Sequence, residues 1–355
     1  MPSARNITTI LITELLLLGL LVIFVEAAAA GAIAIGIIRG TELRFQGEMV
    51  VRPHPFIGFS LREGATRAHG DEKQVINFRG YRGRLAGPKT PNEYRILCVG
   101  DSVMYGDMLG ESDTLPAQLE EILKSKVTTK KVTVINGGVL AYTSAETLVS
   151  MALRGIDMRP DAVIFYEGPN DVAPRLVQQF RPDYSHYRSV WEKDYTERAD
   201  RSLEFSDGYV ALRWLANVYP AARQIDAFTV RSMPKITEVE KKLAFFRSGN
   251  DAFLRNEAAA VALARASGAR SLIVSAASND ARKNDIYYLT QMFEANKREQ
   301  DKVAKKQGAN FLELPSEINK TEKYFRDHVH FSKEGARAVA EIIAREMEAL
   351  GWIPK

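Results

Sequence analysis

The chain has one cysteine, Cys98, and five histidines in 355 residues. A single thiol excludes an internal disulfide framework and any zinc site built on cysteine pairs. A three-histidine metal site would need His54, His69 or His186 to join His328 and His330, and their scatter argues against one. Charge of one sign is scarce as well. The 48 Lys plus Arg exceed the 44 Asp plus Glu by only +4, too little to signal a nucleic-acid partner. No G-x-S-x-G elbow is present, and no internal repeat or low-complexity run beyond an alanine tract at 27–30. Cys98 itself lies in an apolar run and reads as packing.

Apolar residues, at 46% of the chain, are ample for a large core. One block of them is not globular in pattern. From Ile10 to Ile38 nearly every residue is apolar or small, interrupted by Glu14 and Glu26. As a helix this segment is about 44 Å long, against about 30 Å for a bilayer core. It fits an uncleaved anchor, a cleaved signal with its apolar region at Leu15 to Val25 followed by small residues Ala27 to Ala30, or a long helix that binds a partner. A buried carboxylate at Glu26 favours a partner, either a membrane protein or a second copy. Arg5 before the segment favours a cytoplasmic N-terminus and a body on the extracytoplasmic side, although Arg39 and Arg44 follow it.

Residues 41–92 are irregular and rich in Gly, Pro and Arg, with one short strand expected in "RPHPFIGFSL". The densest basic stretch, "NFRGYRGR" at 77–84, reads as a solvated loop or as a phosphate grip. From Tyr94 the pattern alternates. Strands are expected at 94–99, 131–136, 161–168, 269–276 and 309–315, with helices at about 114–126, 144–155, 247–267, 288–306 and 333–349. Such alternation predicts an α/β domain over 93–355, a parallel sheet covered by helices on both faces. A stretch at 172–246 breaks the rhythm with aromatics from Phe180 to Tyr219 and reads as a largely helical insertion, most of them forming its own core.

In parallel sheets chemistry collects at the carboxyl ends of the strands, and four places there carry suitable residues. Ser102 follows the turn in "CVGDSVMYG" and is either a nucleophile or a helix N-cap. Two glycines in "INGGVL" permit close backbone approach or a plain turn. Asn170 in "YEGPND" offers an amide, or caps a helix, with Asp171 the better cap. In "DHVHFS", Asp327 and His330 are three apart, close enough in a turn for the carboxylate to hold Nδ1–H and leave Nε2 as a base. The spacing does not exclude His328.

Together, "GDS", Gly138, "GPND" and the Asp327/His330 pair resemble the SGNH hydrolase superfamily, or GDSL-type esterases and lipases, collinearly over roughly residues 94–349. The resemblance implies a three-layer α/β/α flavodoxin-like sandwich on a five-stranded parallel sheet, Ser102 as nucleophile, His330 as base and Asp327 as its orienting acid. It implies an oxyanion hole from the N–H groups of Ser102 and Gly138 and the Asn170 side chain, with no metal or organic cofactor. The implied substrate is a lipid or carbohydrate ester. Transfer to an envelope glycan, or a non-catalytic assembly role, would reuse the same residues. Two positions depart from the pattern: Val103 where leucine is common, and Ala141 where many relatives have a second glycine.

Overall fold

The protein was analysed as a computed structural model that describes residues 4–35, 50–69, 72–177, 179–187, 206, 208, 237–282 and 287–354. Its contacts divide it into two compact units, one of residues 1–49 with 192–226, the other of residues 50–191 with 227–355. The second carries two antiparallel hairpins where one short strand was expected: β1 (Val51–His54) with β2 (Gly58–Leu61), and β3 (Thr66–His69) with β4 (Glu72–Val75). Short alternating segments between Gly and Pro hide this pairing in the sequence.

A parallel sheet follows. Its strands are β5 (Glu93–Gly100), β6 (Lys131–Gly138), β7 (Ala162–Tyr166), β8 (Arg270–Val274) and β9 (Asn310–Leu312), in the order β6-β5-β7-β8-β9. β5 and β7 lie inside the sheet and are buried along their whole length, which is why β7 and the Ile96–Val99 part of β5 read as apolar runs. Alternate side chains of β5 serve opposite faces. Ile96 and Cys98 join the core under helices Leu115–Lys126 and Lys333–Ala349, whereas Leu97 and Val99 join the core that includes Ala260, Val261 and Ala264 of helix Asp251–Ala266. Truncating Leu97, fully buried between layers, should cost about 2–5 kcal/mol. Two charges sit within β5, Glu93 and Arg95. Arg95 is buried but pairs with Glu93 at 2.8 Å and donates to the carbonyls of Met158 and Gly87, both at 2.9 Å.

Two expected helices have different bounds. The expected helix over 144–155 is α-helical only over Ser144–Ser150, then widens into a π turn at Met151–Gly155. The one expected over 247–267 is two helices, Glu238–Ser248 and Asp251–Ala266, separated at Gly249, whose φ of 62° no continuing helix allows. Most of the 172–246 insertion, including Trp191, Tyr195, Phe205, Tyr209, Trp214 and Tyr219, lies outside the described residues.

Candidate active site

β5 ends at Gly100, where φ is 155° and a β-carbon would lie 2.0 Å from the Tyr166 carbonyl oxygen, so only glycine fits. The chain then enters the short helix Ser102–Tyr105. Asp101 is its N-cap, accepting the Val103 N–H at 2.8 Å. The cap role therefore belongs to Asp101, and the Ser102 side chain points elsewhere. Its Oγ is 2.8 Å from His330 Nε2. Ser102 N–H, in the first turn of the helix, has no intrahelical acceptor.

His330 comes from the turn that precedes helix Lys333–Ala349, a turn closed by a bridge between Phe325 and Phe331 and by the Arg326 N–H donating to the His330 carbonyl at 2.8 Å. Its Nδ1 is 2.6 Å from Asp327 Oδ2. Asp327 Oδ1 accepts the backbone N–H groups of Val329 at 2.9 Å and His330 at 2.8 Å. Burial opposes charge on Asp327, but the His330 ring and the two backbone donors outweigh it and hold the carboxyl well below its usual range. Burial likewise lowers the affinity of His330 for a proton, and Asp327 overcomes that, leaving the imidazole pKa above 6.5. His328 is not part of this group. Its carbonyl accepts the Asn279 N–H at 2.9 Å, and its Nδ1 is buried without a partner among the described residues.

Gly138 ends β6, and a β-carbon there would lie 2.1 Å from the Tyr105 backbone nitrogen. Glycine is thus required for packing against the Ser102 helix. The Gly138 N–H, expected as an oxyanion donor, donates in this structure to Asn136 Oδ1 at 3.1 Å. The loop beyond it passes through Ala141 at φ 61°, a left-handed conformation that glycine would adopt without cost. Asn170 Nδ2 donates to the carbonyl of the next residue, Tyr142, at 2.9 Å, which leaves its second N–H for another acceptor.

Asp171 was the expected helix cap, yet its side chain makes no cap bond to the turn that follows. It accepts the Ser144 N–H at 2.9 Å, the Ser144 hydroxyl at 2.6 Å and the Tyr184 hydroxyl at 2.8 Å. Asn256 Nδ2 donates to the same serine oxygen at 3.1 Å. Asp171 thereby ties the Asn170 turn to the helix that follows the Gly138 loop. Burial pushes its carboxyl up to about 6, that of Asp101 up to about 7 and that of Glu257 up to about 8. Burial raises the Glu167 carboxyl well above the ordinary range, against a hydrogen bond from Thr147 that lowers it.

The basic stretch at 77–84 contains a residue that neither expected role describes. Arg82 has a side chain 0% exposed. Its guanidinium donates to the carbonyls of Tyr105 at 2.7 Å, Gly106 at 2.6 Å and Leu109 at 2.6 Å, and to Glu111 at 3.1 Å. It therefore satisfies carbonyls at and beyond the C-terminal end of the Ser102 helix. The hairpins support the neighbouring loop too: the Tyr142 hydroxyl donates to the Phe59 carbonyl at 2.8 Å. A cavity of about 290 Å³ beside Arg82, lined also by Glu111, Glu120 and Asn136, includes none of Ser102, Asn170 and His330. Among the described residues, no group of three or more His, Cys, Asp or Glu side chains is placed to hold a metal ion. Burial raises the thiol pKa of Cys98, which is a core residue.

A parallel five-stranded sheet flanked by helices, with a serine, an asparagine and a histidine–aspartate pair beyond it, is an α/β fold of the GDSL-hydrolase kind. The family model for GDSL-like lipase/acylhydrolase matches residues 96–343, and the chain belongs to that family, a hydrolase acting on ester bonds. Among solved structures it is similar to a GDSL-like lipase from Bacteroides thetaiotaomicron, at 15% identity and a TM-score of 0.43 over 75% of this chain and 93% of that one. It is also similar to an acetylxylan esterase from Geobacillus stearothermophilus, at 14% identity and a TM-score of 0.44 over 72% of this chain and 94% of that one. No curated protein matches the chain in sequence.

Proposed function

We propose that Ser102, His330 and Asp327 act as a catalytic triad that hydrolyses acyl or acetyl esters of lipid or carbohydrate. The observation that carries this reading is the continuous line from Asp327 Oδ2 through the imidazole to Ser102 Oγ, with steps of 2.6 and 2.8 Å. Asp327 holds the Nδ1–H tautomer, so Nε2 is the acceptor. His330 takes the Ser102 proton as Oγ bonds to the ester carbonyl carbon, and the carbonyl oxygen becomes an oxyanion. Collapse breaks the bond to the alcohol, which leaves with the proton from His330. Water, deprotonated in turn by His330, attacks the acyl-serine and releases the acid. The Ser102 N–H and the second N–H of Asn170 Nδ2 serve as oxyanion donors, each worth about 10²- to 10³-fold in rate.

Hydrolysis needs water at the base. The side chains of His330 and Asp327 are 19% and 34% exposed, so solvent reaches the base. The enzyme is anchored by its apolar helix, with the hydrolase domain on the extracytoplasmic side. Residues Ile12–Ala32, with a mean hydropathy of 2.4 and little burial, support this, being about long enough to cross a bilayer core. The full-length protein in detergent should cleave a short aryl ester and react with a fluorophosphonate at Ser102, whereas Ser102→Ala should do neither. Labelling of any other serine, or turnover by Ser102→Ala, would overturn the assignment.

A further inference from the structure

The apolar helix runs Ala4–Ala34 and carries two carboxylates within its membrane-length stretch Ile12–Ala32, Glu14 near the start and Glu26 deeper inside. Six residues separate Glu26 from Ala32, a rise of about 9 Å. An ionisable group at that depth is costly unless it is neutralised or hydrogen-bonded. A partner helix was the expected source of donors. The structure supplies them from the same chain. The Ser206 hydroxyl donates to Glu26 Oε1, and the Gly208 N–H donates to Oε2 at 3.0 Å. One helical turn on, Ala29 is buried and Ala30 half-buried, whereas the apolar side chains from Leu15 to Val25 are exposed. One stripe of the helix, at spacings of three and four residues, is thus covered by protein, and the rest of its surface is left for lipid. Residues 192–226 belong with residues 1–49 as one compact unit. The sequence after Gly208, "YVALRWLANVYP", adds Tyr209, Trp214 and Tyr219, side chains that favour the boundary between lipid and water.

We infer that Ser206 and Gly208 dock inside the lipid bilayer against the anchor helix, with Glu26 as their receptor. The proposal rests on the anchor reading and goes beyond it. A signal peptide is removed from the mature protein, whereas a helix whose carboxylate holds a segment 180 residues away is a permanent part of the fold. Ser206 and Gly208 then form a second membrane contact, and the bilayer is its partner.

The only native thiol, Cys98, is buried, so engineered cysteines report cleanly. The full chain carrying Glu26→Cys with Ser206→Cys, placed in nanodiscs of phosphatidylethanolamine and phosphatidylglycerol, should form an intramolecular disulfide at least about tenfold faster than Glu14→Cys with Ser206→Cys. The control position lies about 18 Å away along the helix. Equal rates, or cross-linked dimers alone, would overturn the contact while leaving the anchor in place. A mature chain that begins beyond Ala30 would overturn both. Since the pair removes the Glu26 carboxylate, a single variant retains it. Ser206→Cys alone should react about tenfold more slowly with a membrane-impermeant maleimide than Glu322→Cys, which replaces an exposed residue. Equal labelling would place residue 206 in water and sink the proposal.

Discussion

Asp327 and Asp171 are two carboxylates serving one site by different means. Asp327 lies on a partly exposed turn and accepts its hydrogen bonds from residues two and three positions ahead. Asp171 is buried, and its donors come from Ser144 and Tyr184, 27 and 13 residues away. The first is held as an anion because three donors, one on an imidazole, outweigh its desolvation. The second is pushed up to about 6 because desolvation outweighs its donors. The proposed base half of the site is thus a local turn, and the proposed oxyanion half is a buried network assembled by the whole fold.

The largest effects should come from breaking the local half. Ser102→Ala and His330→Ala should each lower kcat/KM for an aryl ester by about 10⁴-fold or more, while His328→Ala should leave it within about threefold. If the His328 change is the damaging one, the base is misassigned. Asp327→Asn should cost about 10²- to 10⁴-fold. It should also move the pH profile in a defined direction. His330 must be neutral to act, and its pKa is raised by Asp327, so turnover should rise with pH through a midpoint above 6.5 in the wild type and below that midpoint in Asp327→Asn. A kcat/KM profile that does not move would break the link between Asp327 and the base.

Changes in the buried half should be read in stability first. Arg82→Ala should destabilise the protein by about 3 kcal/mol in denaturant unfolding, because the carbonyls of Tyr105, Gly106 and Leu109 beside the Ser102 helix lose their charged donor and keep only the Asn136 amide, the Leu109 N–H and the Gln74 amide. Arg82→Lys should recover only part of this, since an ammonium lacks the planar fork. The raised carboxyls set the sign of the pH dependence. Asp101, Asp171 and Glu257 bind protons more tightly folded than unfolded, so stability is full below about pH 4 for these groups and is lost as pH rises through about 6 to 8. Asp327 has the opposite sign and loses its contribution as pH falls below about 4. Melting temperature should therefore decline from pH 5 to 8 while turnover increases, and Asp171→Asn should flatten that decline near pH 6.

The smallest effect tests one backbone angle. Ala141→Gly relieves a left-handed φ at a cost in unfolded-state entropy, two terms of about 1 kcal/mol each with opposite sign. The net change should stay within about 1 kcal/mol in either direction, and a larger loss would mean that the Ala141 methyl packs against something essential.

The strand ends were legible because buried parallel strands must be apolar throughout, and glycine, serine and asparagine at their carboxyl ends stand out against that background. The Asp327/His330 pair was legible for a similar reason, since both residues lie on one turn. Arg82 was not, because a basic stretch has the same composition whether its guanidinium meets water or three buried carbonyls. The surroundings of Gly138 were not legible either, because glycine permits both a ligand contact and close packing, and here its amide meets Asn136 Oδ1 while its α-carbon packs against Tyr105, 33 positions earlier. Asp171 and Glu26 belong with these cases. Sequence by itself determined the α/β class, the apolar helix and the residues able to do chemistry, since periodicity and local spacing express those directly. Only the tertiary structure decided which donor faces which acceptor, because a buried polar group must be paired, and here its partner often lies tens to nearly two hundred residues away.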